Sequence, residues 1–397
     1  MRKFDVTHAL SQGSCENAGE LPPGRQGVST RFQRYLLPGL AFKAVVIGGG
    51  YATGRELAEF FLPSGPRGGI AAMALATAIW SAICVVTFLF ARASGARDYQ
   101  SFVRALLGPA WVVFEAAYVL FVILILAVYG AAAGAIGAAT LGLPTLAGTL
   151  ALMSAIAVVT AYGNPSVERL FKYVSFLLYG VYVLFVLLAL RHFGARIPAA
   201  FATRAPMDGW VPGGVTYASY NVVAAIAILP VLRHLTSDRD AVIAGIIAGP
   251  LAMIPAVMFF CCMVAWYPQI ATETLPSDFL LQRLDAPWFH LLFQLMIFAA
   301  LLESGTGAVH AINERIGNAW RRRHGAPLGR AARLTIALAI LSGCMLLAQR
   351  FGLVTLIAKG YRALAAIFLL VYVIPLLTVG LVRLRHRAAL RQEASSS

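Results

Sequence analysis

Along the chain, long apolar segments alternate with short polar joints. At about 20 residues per spanning helix, ten segments are predicted to cross a bilayer, near 36–62, 68–92, 111–140, 144–162, 169–191, 214–232, 241–267, 287–314, 328–349 and 353–384. Two shorter stretches read differently. Asp98, Tyr99, Phe102, Val103, Leu106 and Leu107, flanked by Arg97 and Arg104, predict an interfacial amphipathic helix. Leu275 to Leu284, opening with Pro276 and Ser277 before Asp278, predicts a second short helix on the opposite face.

The first segment is interrupted. Val45 to Phe61 carries Gly48, Gly49, Gly50 and Gly54, and each glycine in a helix interior costs about 1 kcal/mol relative to alanine. A break is expected there. Arg55, Glu56 and Glu59 follow at once, charges that at membrane depth normally face a bundle interior or a water-filled cavity. The sixth segment begins Gly213-Gly214 and carries Thr216, Tyr217, Ser219, Tyr220 and Asn221, a polar interruption at the matching position. The surroundings of Gly134 and Gly307 compare in the third and eighth segments. Lys172-Tyr173 and Lys359 with Tyr361 compare in the fifth and tenth. Ten segments then divide into halves of five, 36–191 and 214–384, and an odd number per half requires the second to be inverted. The predicted fold is an all-α membrane protein of ten transmembrane helices, a 5+5 inverted repeat with helices 1 and 6 unwound. Residues 1–34 read as a disordered cytoplasmic tail, 35–387 as the transmembrane domain and 388–397 as a second cytoplasmic tail.

Composition agrees with the pattern. The chain is 59% hydrophobic and only 12% charged, with a mean hydropathy of +0.76, whereas soluble domains carry roughly 25% charged residues. The net charge of +15 does not form one aromatic-interleaved patch, so nucleic acid is not an expected partner. Basic residues concentrate in alternate joints, among them Arg92, Arg97 and Arg104, Arg233 and Arg239, and the run from Arg315 to Arg333. By the positive-inside rule both termini are cytoplasmic. The first ~34 residues have no apolar core of the kind a secretory signal needs. Cys84, Cys261, Cys262 and Cys344 lie inside apolar segments and Cys15 in the tail, without metal or disulfide spacing.

Candidate chemistry centres on the two interruptions. Unwinding near Gly48, Gly49, Gly50, Tyr51, Thr53 and Gly54 leaves backbone N–H groups for an anion such as a carboxylate, and carbonyls for a cation. Tyr217, Ser219, Tyr220 and Asn221 supply hydroxyl and amide contacts to a solute, or bond between helices. Arg55 and Glu59, four apart, pair on one helix face; with Glu56 they form a candidate gate. Glu303, with Ser304 and Thr306 in the eighth segment, reads as a cation ligand or proton carrier, the alternative being a salt bridge to Lys43, Lys172 or Lys359. Lys172 either snorkels to the surface or points inward in place of a sodium ion. His310 and Glu314 lack a third metal ligand. The G-x-G-x-x-x-G spacing has no alternation of strand and helix around it and no acidic residue in Ile70 to Ile79, which removes a dinucleotide site.

Four motifs together carry a resemblance: G-G-G-Y-A-T-G-R-E at 48–56, Y-N-V-V-A-A-I at 220–226, E-S-G-T-G-A-V-H-A-I-N-E-R at 303–315 and A-K-G-Y at 358–361. They are similar to the YkvI-like group of bacterial membrane proteins, a distant branch of the amino acid, polyamine and organocation transporters with the LeuT-like fold. The resemblance covers about residues 36–384. It implies a secondary transporter of the bacterial inner membrane, with helices 1 and 6 unwound around a small solute, often an amino acid. Sodium-coupled relatives hold a cation between helices 1 and 8; here Glu303 stands where a hydroxyl is expected, which favours protons. Proton-coupled relatives place a lysine like Lys172 in helix 5. Arg55 resembles a gating arginine, although Lys359 and Arg362 occupy the tenth helix where its acidic partner is expected. The reading is a carrier of a small polar solute coupled to H+ or Na+, with no cofactor and no enzymatic activity; the alternative is a membrane ligand sensor that keeps the fold.

Overall fold

The computed structural model describes residues 30–47, 51, 53–162 and 165–396, and within them all side chains except those of residues 162, 165–177, 322, 330, 388 and 390–396. The regular elements among the described residues are helices, the α-helices in the order α1 (Leu37–Val46), α2 (Arg55–Phe60), α3 (Gly65–Ser94), α4 (Tyr99–Leu107), α5 (Trp111–Leu141), α6 (Thr145–Tyr162), α7 (Pro165–Phe193), α8 (Arg196–Ala202), α9 (Trp210–Asn221), α10 (Ala224–Ala227), α11 (Asp238–Val264), α12 (Pro276–Gln282), α13 (Pro287–His324), α14 (Arg330–Thr355), α15 (Arg362–Phe368) and α16 (Leu381–Ser396). By length and apolarity alone, five stretches among the described residues qualify as membrane spans: 62–94, 99–141, 238–264, 287–321 and 331–387. A sixth qualifies if 178–193 and 196–202, which meet at 76°, act as one.

Local sequence explains the ends of several elements. Asp98 caps α4 by accepting from Ser101 N at 2.9 Å, and Ser237 caps α11 by accepting from Asp240 N at 3.0 Å; each is half of a reciprocal capping box. α4 buries Phe102, Val103 and Leu106 and exposes Ser101 and Arg104, the amphipathic division expected of it. Gly352, with φ +70° and ψ 167°, turns the chain within the stretch assigned to α14.

α3 and α11 lie along each other because small residues face the seam. A Cβ on Gly245 would stand 2.6 Å from the Val85 backbone, and one on Gly249 2.3 Å from Ser81 Oγ, so glycine here permits the close approach that drives helix association in lipid. Packing partners recur at an offset of five segments. α1 lies on α11 as α9 lies on α3, and α14 lies on α5 as α13 lies on α6.

Three expectations are modified. Phe32–Leu36 is a π-helical lead-in to α1, so helix begins before the expected end of the tail at residue 34; residues 1–29 lie outside the described part. In the sixth segment the polar residues Thr216 to Asn221 sit inside the regular α9, and the interruption follows them. Between α9 and α10 the chain changes to i→i+3 bonding, Ala225 N to Val222 O at 3.0 Å and Ile226 N to Val223 O at 3.1 Å, yet Val222 and Val223 keep right-handed dihedrals. α12 forms where predicted, but Pro276 through Leu281 are buried. It is tucked against α2 and not laid on a face.

Candidate substrate and ion site

α1 stops where its sequence turns to glycine. Ile47, at φ −82° and ψ 73°, leaves the helix, and α2 starts after Gly54, which has φ +75°. Gly48, Gly49 and Gly50 lie outside the described residues, as does the Lys172 side chain. Tyr51 and Thr53 are buried. Thr53 is held at both ends: its carbonyl accepts from Ser277 N of α12 at 3.0 Å, and its Oγ1 accepts from Arg55 N at 3.3 Å. Gly54 has no room for a side chain, since a Cβ would meet Phe259 Cε1 at 2.6 Å.

The three charges of α2 point in different directions. Arg55, buried, donates from Nη1 to the carbonyls of Glu273 at 2.7 Å and Ala271 at 3.2 Å, and from Nη2 to Glu59 Oε2 at 2.9 Å. Glu59 Oε1 accepts from Arg362 Nη2 of α15 at 3.1 Å. One carboxylate therefore bridges two arginines. The acid absent from the tenth helix is supplied by the first, with the base on the tenth, a reversed polarity that the sequence reading missed. Glu56 faces inward and accepts from Tyr220 Oη at 2.6 Å.

Around Glu56 the aromatic rings of four segments converge. Tyr220 stacks at a tilt on Tyr361, 4.5 Å between centroids, and meets Tyr217 at 5.7 Å and Phe60 at 5.8 Å. Trp80 lies 5.5 Å from Tyr217 and donates from Nε1 to Ala218 O at 3.1 Å. Of the predicted contacts on α9, Tyr217 and Tyr220 enter this cluster. Ser219 and Asn221 do not: Ser219 Oγ donates to Val215 O at 2.6 Å and Asn221 Nδ2 to Tyr217 O at 3.0 Å, both returning to their own helix.

On α13, Glu303 and Ser304 are half-buried and Thr306 is buried, its Oγ1 without a hydrogen-bond partner among the described residues. Glu303 acts electrostatically on Tyr179, whose ring carries Lys43 Nζ at 4.5 Å. The Tyr129 hydroxyl of α5 joins the two regions, hydrogen-bonded to Ser304 and within electrostatic reach of Glu56. Tyr129 was not singled out in the sequence, and Tyr361 was noted there only as part of the repeat and of the A-K-G-Y motif, because tyrosine in an apolar helix gives no sign of which way it points. His310, exposed, has its Nε2 3.5 Å from Oε1 of the half-buried Glu314. No group of three His, Cys, Asp or Glu suited to a metal occurs among the described residues.

At the other end of the bundle a second polar seam ties helices together. Arg92 donates to Leu235 O at 2.5 Å, Thr236 O at 3.1 Å and Asp238 Oδ1 at 3.2 Å. Arg315 Nη1 donates to Glu115 Oε1 at 2.9 Å, its guanidinium lying 3.7 Å from the Tyr118 ring centroid and 4.1 Å from that of Tyr99.

This arrangement, an interrupted first helix packed against α9 and the tenth segment, has the LeuT-like fold. The chain aligns with the crystal structure of MhsT in complex with L-phenylalanine at a TM-score of 0.54 and 17% identity, over 91% of this chain and 98% of that one. It aligns with the Eremococcus coleocola manganese transporter, in complex with an aromatic bis-isothiourea compound, at a TM-score of 0.57 and 13% identity, over 93% and 83%. In sequence it is similar to the uncharacterised membrane protein YkvI of Bacillus subtilis (strain 168), 25% identical over 288 residues, 70% of this chain and 80% of that protein. No protein-family model matches the chain.

Proposed function

We propose that the protein is a secondary active transporter moving a small polar solute, an amino acid or related organic compound, by alternating access coupled to H+ or Na+. The observation that carries the reading is that regular helix stops at Val46 and resumes at Arg55, with Tyr51 and Thr53 buried between them and α2 packed against α9, α12 and the tenth segment. Irregular backbone at membrane depth is tolerated where it lines a site. The fold shared with MhsT and the manganese transporter supports the transporter class. Ten spans in two inverted halves, with both termini on the cytoplasmic face of the inner membrane, complete the proposal; the five-segment offset in helix packing supports the repeat.

The solute site is assigned to the interruption, Gly48 to Gly54 with Tyr51 and Thr53, and to Tyr217, Ser219, Tyr220 and Asn221. Arg55 and Glu59 with Arg362 form the gate over it, and Glu56 lines its inner side. Glu303, Ser304 and Thr306 with Lys172 form the coupling region; the unpartnered Thr306 Oγ1 supports an oxygen-ligating role there. The test is uptake into proteoliposomes across a panel of amino acids and small organic acids, with pH and sodium gradients imposed separately. Accumulation driven by either gradient supports the carrier. Binding without accumulation across the panel replaces it with a ligand sensor. Glu303→Gln is expected to abolish gradient-driven uptake in a folded protein, and full activity in that variant removes Glu303 from coupling.

A further inference from the structure

Glu56 is 6% exposed, and its carboxylate accepts a hydrogen bond from a phenol, Tyr220 Oη at 2.6 Å. On its own helix, Arg55 is committed to Glu59 and two carbonyls. The titratable groups within its reach are Tyr51 from the interruption, Tyr217 and Tyr220 from α9, Tyr361 from the tenth segment and Tyr129 from α5. Lys359 and Arg362 share that tenth segment, and Arg362 pairs with Glu59 instead. Among the described residues no Lys, Arg or His forms an ion pair with Glu56.

An ionised carboxylate buried without a cation is strongly disfavoured, and it is neutralised by a metal, an organic cation or a proton. A hard metal ion takes six or more oxygen ligands, and one carboxylate among phenols does not supply them. The surrounding rings close on one another, Tyr220 on Tyr361 at 4.5 Å and Tyr217 on Phe61 at 4.7 Å. A proton needs no volume.

We propose that Glu56 is a proton-binding site at the contact between α2 and α9, and that its protonation state sets the strength of that contact. In the ionised form, the Tyr220 hydroxyl donates a charge-assisted bond to the carboxylate. A proton from water on the open side adds to a carboxylate oxygen and leaves a neutral acid, and the bond to Tyr220 loses its charge assistance. Release of the proton restores it. Because the contact joins the two interrupted segments, loading and unloading Glu56 loosens and tightens the solute site. That last step rests on the transporter reading; the binding of the proton does not.

The test needs no substrate. Infrared difference spectra of the full chain in lipid nanodiscs, recorded between mildly alkaline and mildly acid pH, are expected to show a carboxylic C=O band that grows on acidification. The band is lost in Glu56→Gln, shifted in frequency in Tyr220→Phe, which removes the bonded hydroxyl, and kept in Glu303→Gln. A band undiminished in folded Glu56→Gln, or no carboxylic band in the wild type, overturns the proposal. If Glu56→Gln does not fold, the Tyr220→Phe spectrum decides, and an unshifted band counts against Glu56. A band assigned to Glu56 in a protein that accumulates nothing from the panel refutes the carrier and leaves the proton site standing; proton-driven uptake without that band does the reverse.

Discussion

Gly54 is the residue at which local conformation and packing make the same demand. Its φ of +75° disfavours any side chain, and Phe259 and Pro276 occupy the space where a Cβ would go. Left-handed backbone costs a non-glycine residue about 1–2 kcal/mol, and overpacking a further 1–3 kcal/mol. Gly54→Ala is therefore expected to destabilise the protein by about 2–4 kcal/mol, read as a lowered thermal midpoint in detergent. An unchanged midpoint shows that Phe259 yields freely. At this scale the sequence placed a break near Gly48 to Gly54, and regular helix ends at Val46 and resumes at Arg55. It did not reveal which polar groups remain available. Ser219 and Asn221 lie beside Tyr217 and Tyr220 in the chain, but a short polar side chain in an apolar helix bonds back to a carbonyl four residues earlier, while the longer tyrosines reach a neighbouring helix.

α2 is only six residues long, too short to stand by itself in water, so its position depends on its ties. Glu59 is shared by two arginines of different burial. The Arg55 side chain is nearly enclosed, while that of Arg362 is 62% exposed. Removing one partner of a buried pair costs about 3–5 kcal/mol, whereas an exposed pair is worth about 1 kcal/mol or less. Arg362→Ala should change the thiol-labelling rate of a cysteine placed at Ala58 by no more than about fivefold. Arg55→Ala should raise it far more, and equal effects from the two would mean that burial does not rank these two ties. The existence of α12 was legible in Pro276, Ser277 and Asp278. Its burial was not, because the Thr53 carbonyl that receives Ser277 N exists only where the first helix has stopped.

Across the whole molecule, polar seams lie at both ends of an apolar bundle, Arg55 with Glu59 and Arg362 at one, and Arg92 with Asp238 and Arg315 with Glu115 at the other. Alternating access requires one end to loosen as the other tightens. Glu115→Gln, which leaves Arg315 without a charged partner, is expected to shift the balance by about 1 kcal/mol toward opening at its own end. Spin labels at the exposed positions Arg97 and Ala319 should then report longer distances, while labelling near Arg55 slows. Both ends opening together in this variant would contradict alternation.

Segment lengths, apolarity and glycine placement determined by themselves that this chain is a helical membrane protein with an interrupted first segment, because a bilayer leaves the backbone few ways to satisfy its hydrogen bonds and glycine weakens one of them. Only the tertiary structure decided that Glu59 serves Arg362, that Glu56 meets Tyr220 and that α12 fills the space beside the interruption. Those contacts join residues up to about three hundred positions apart, and their partners are chosen by how the helices pack.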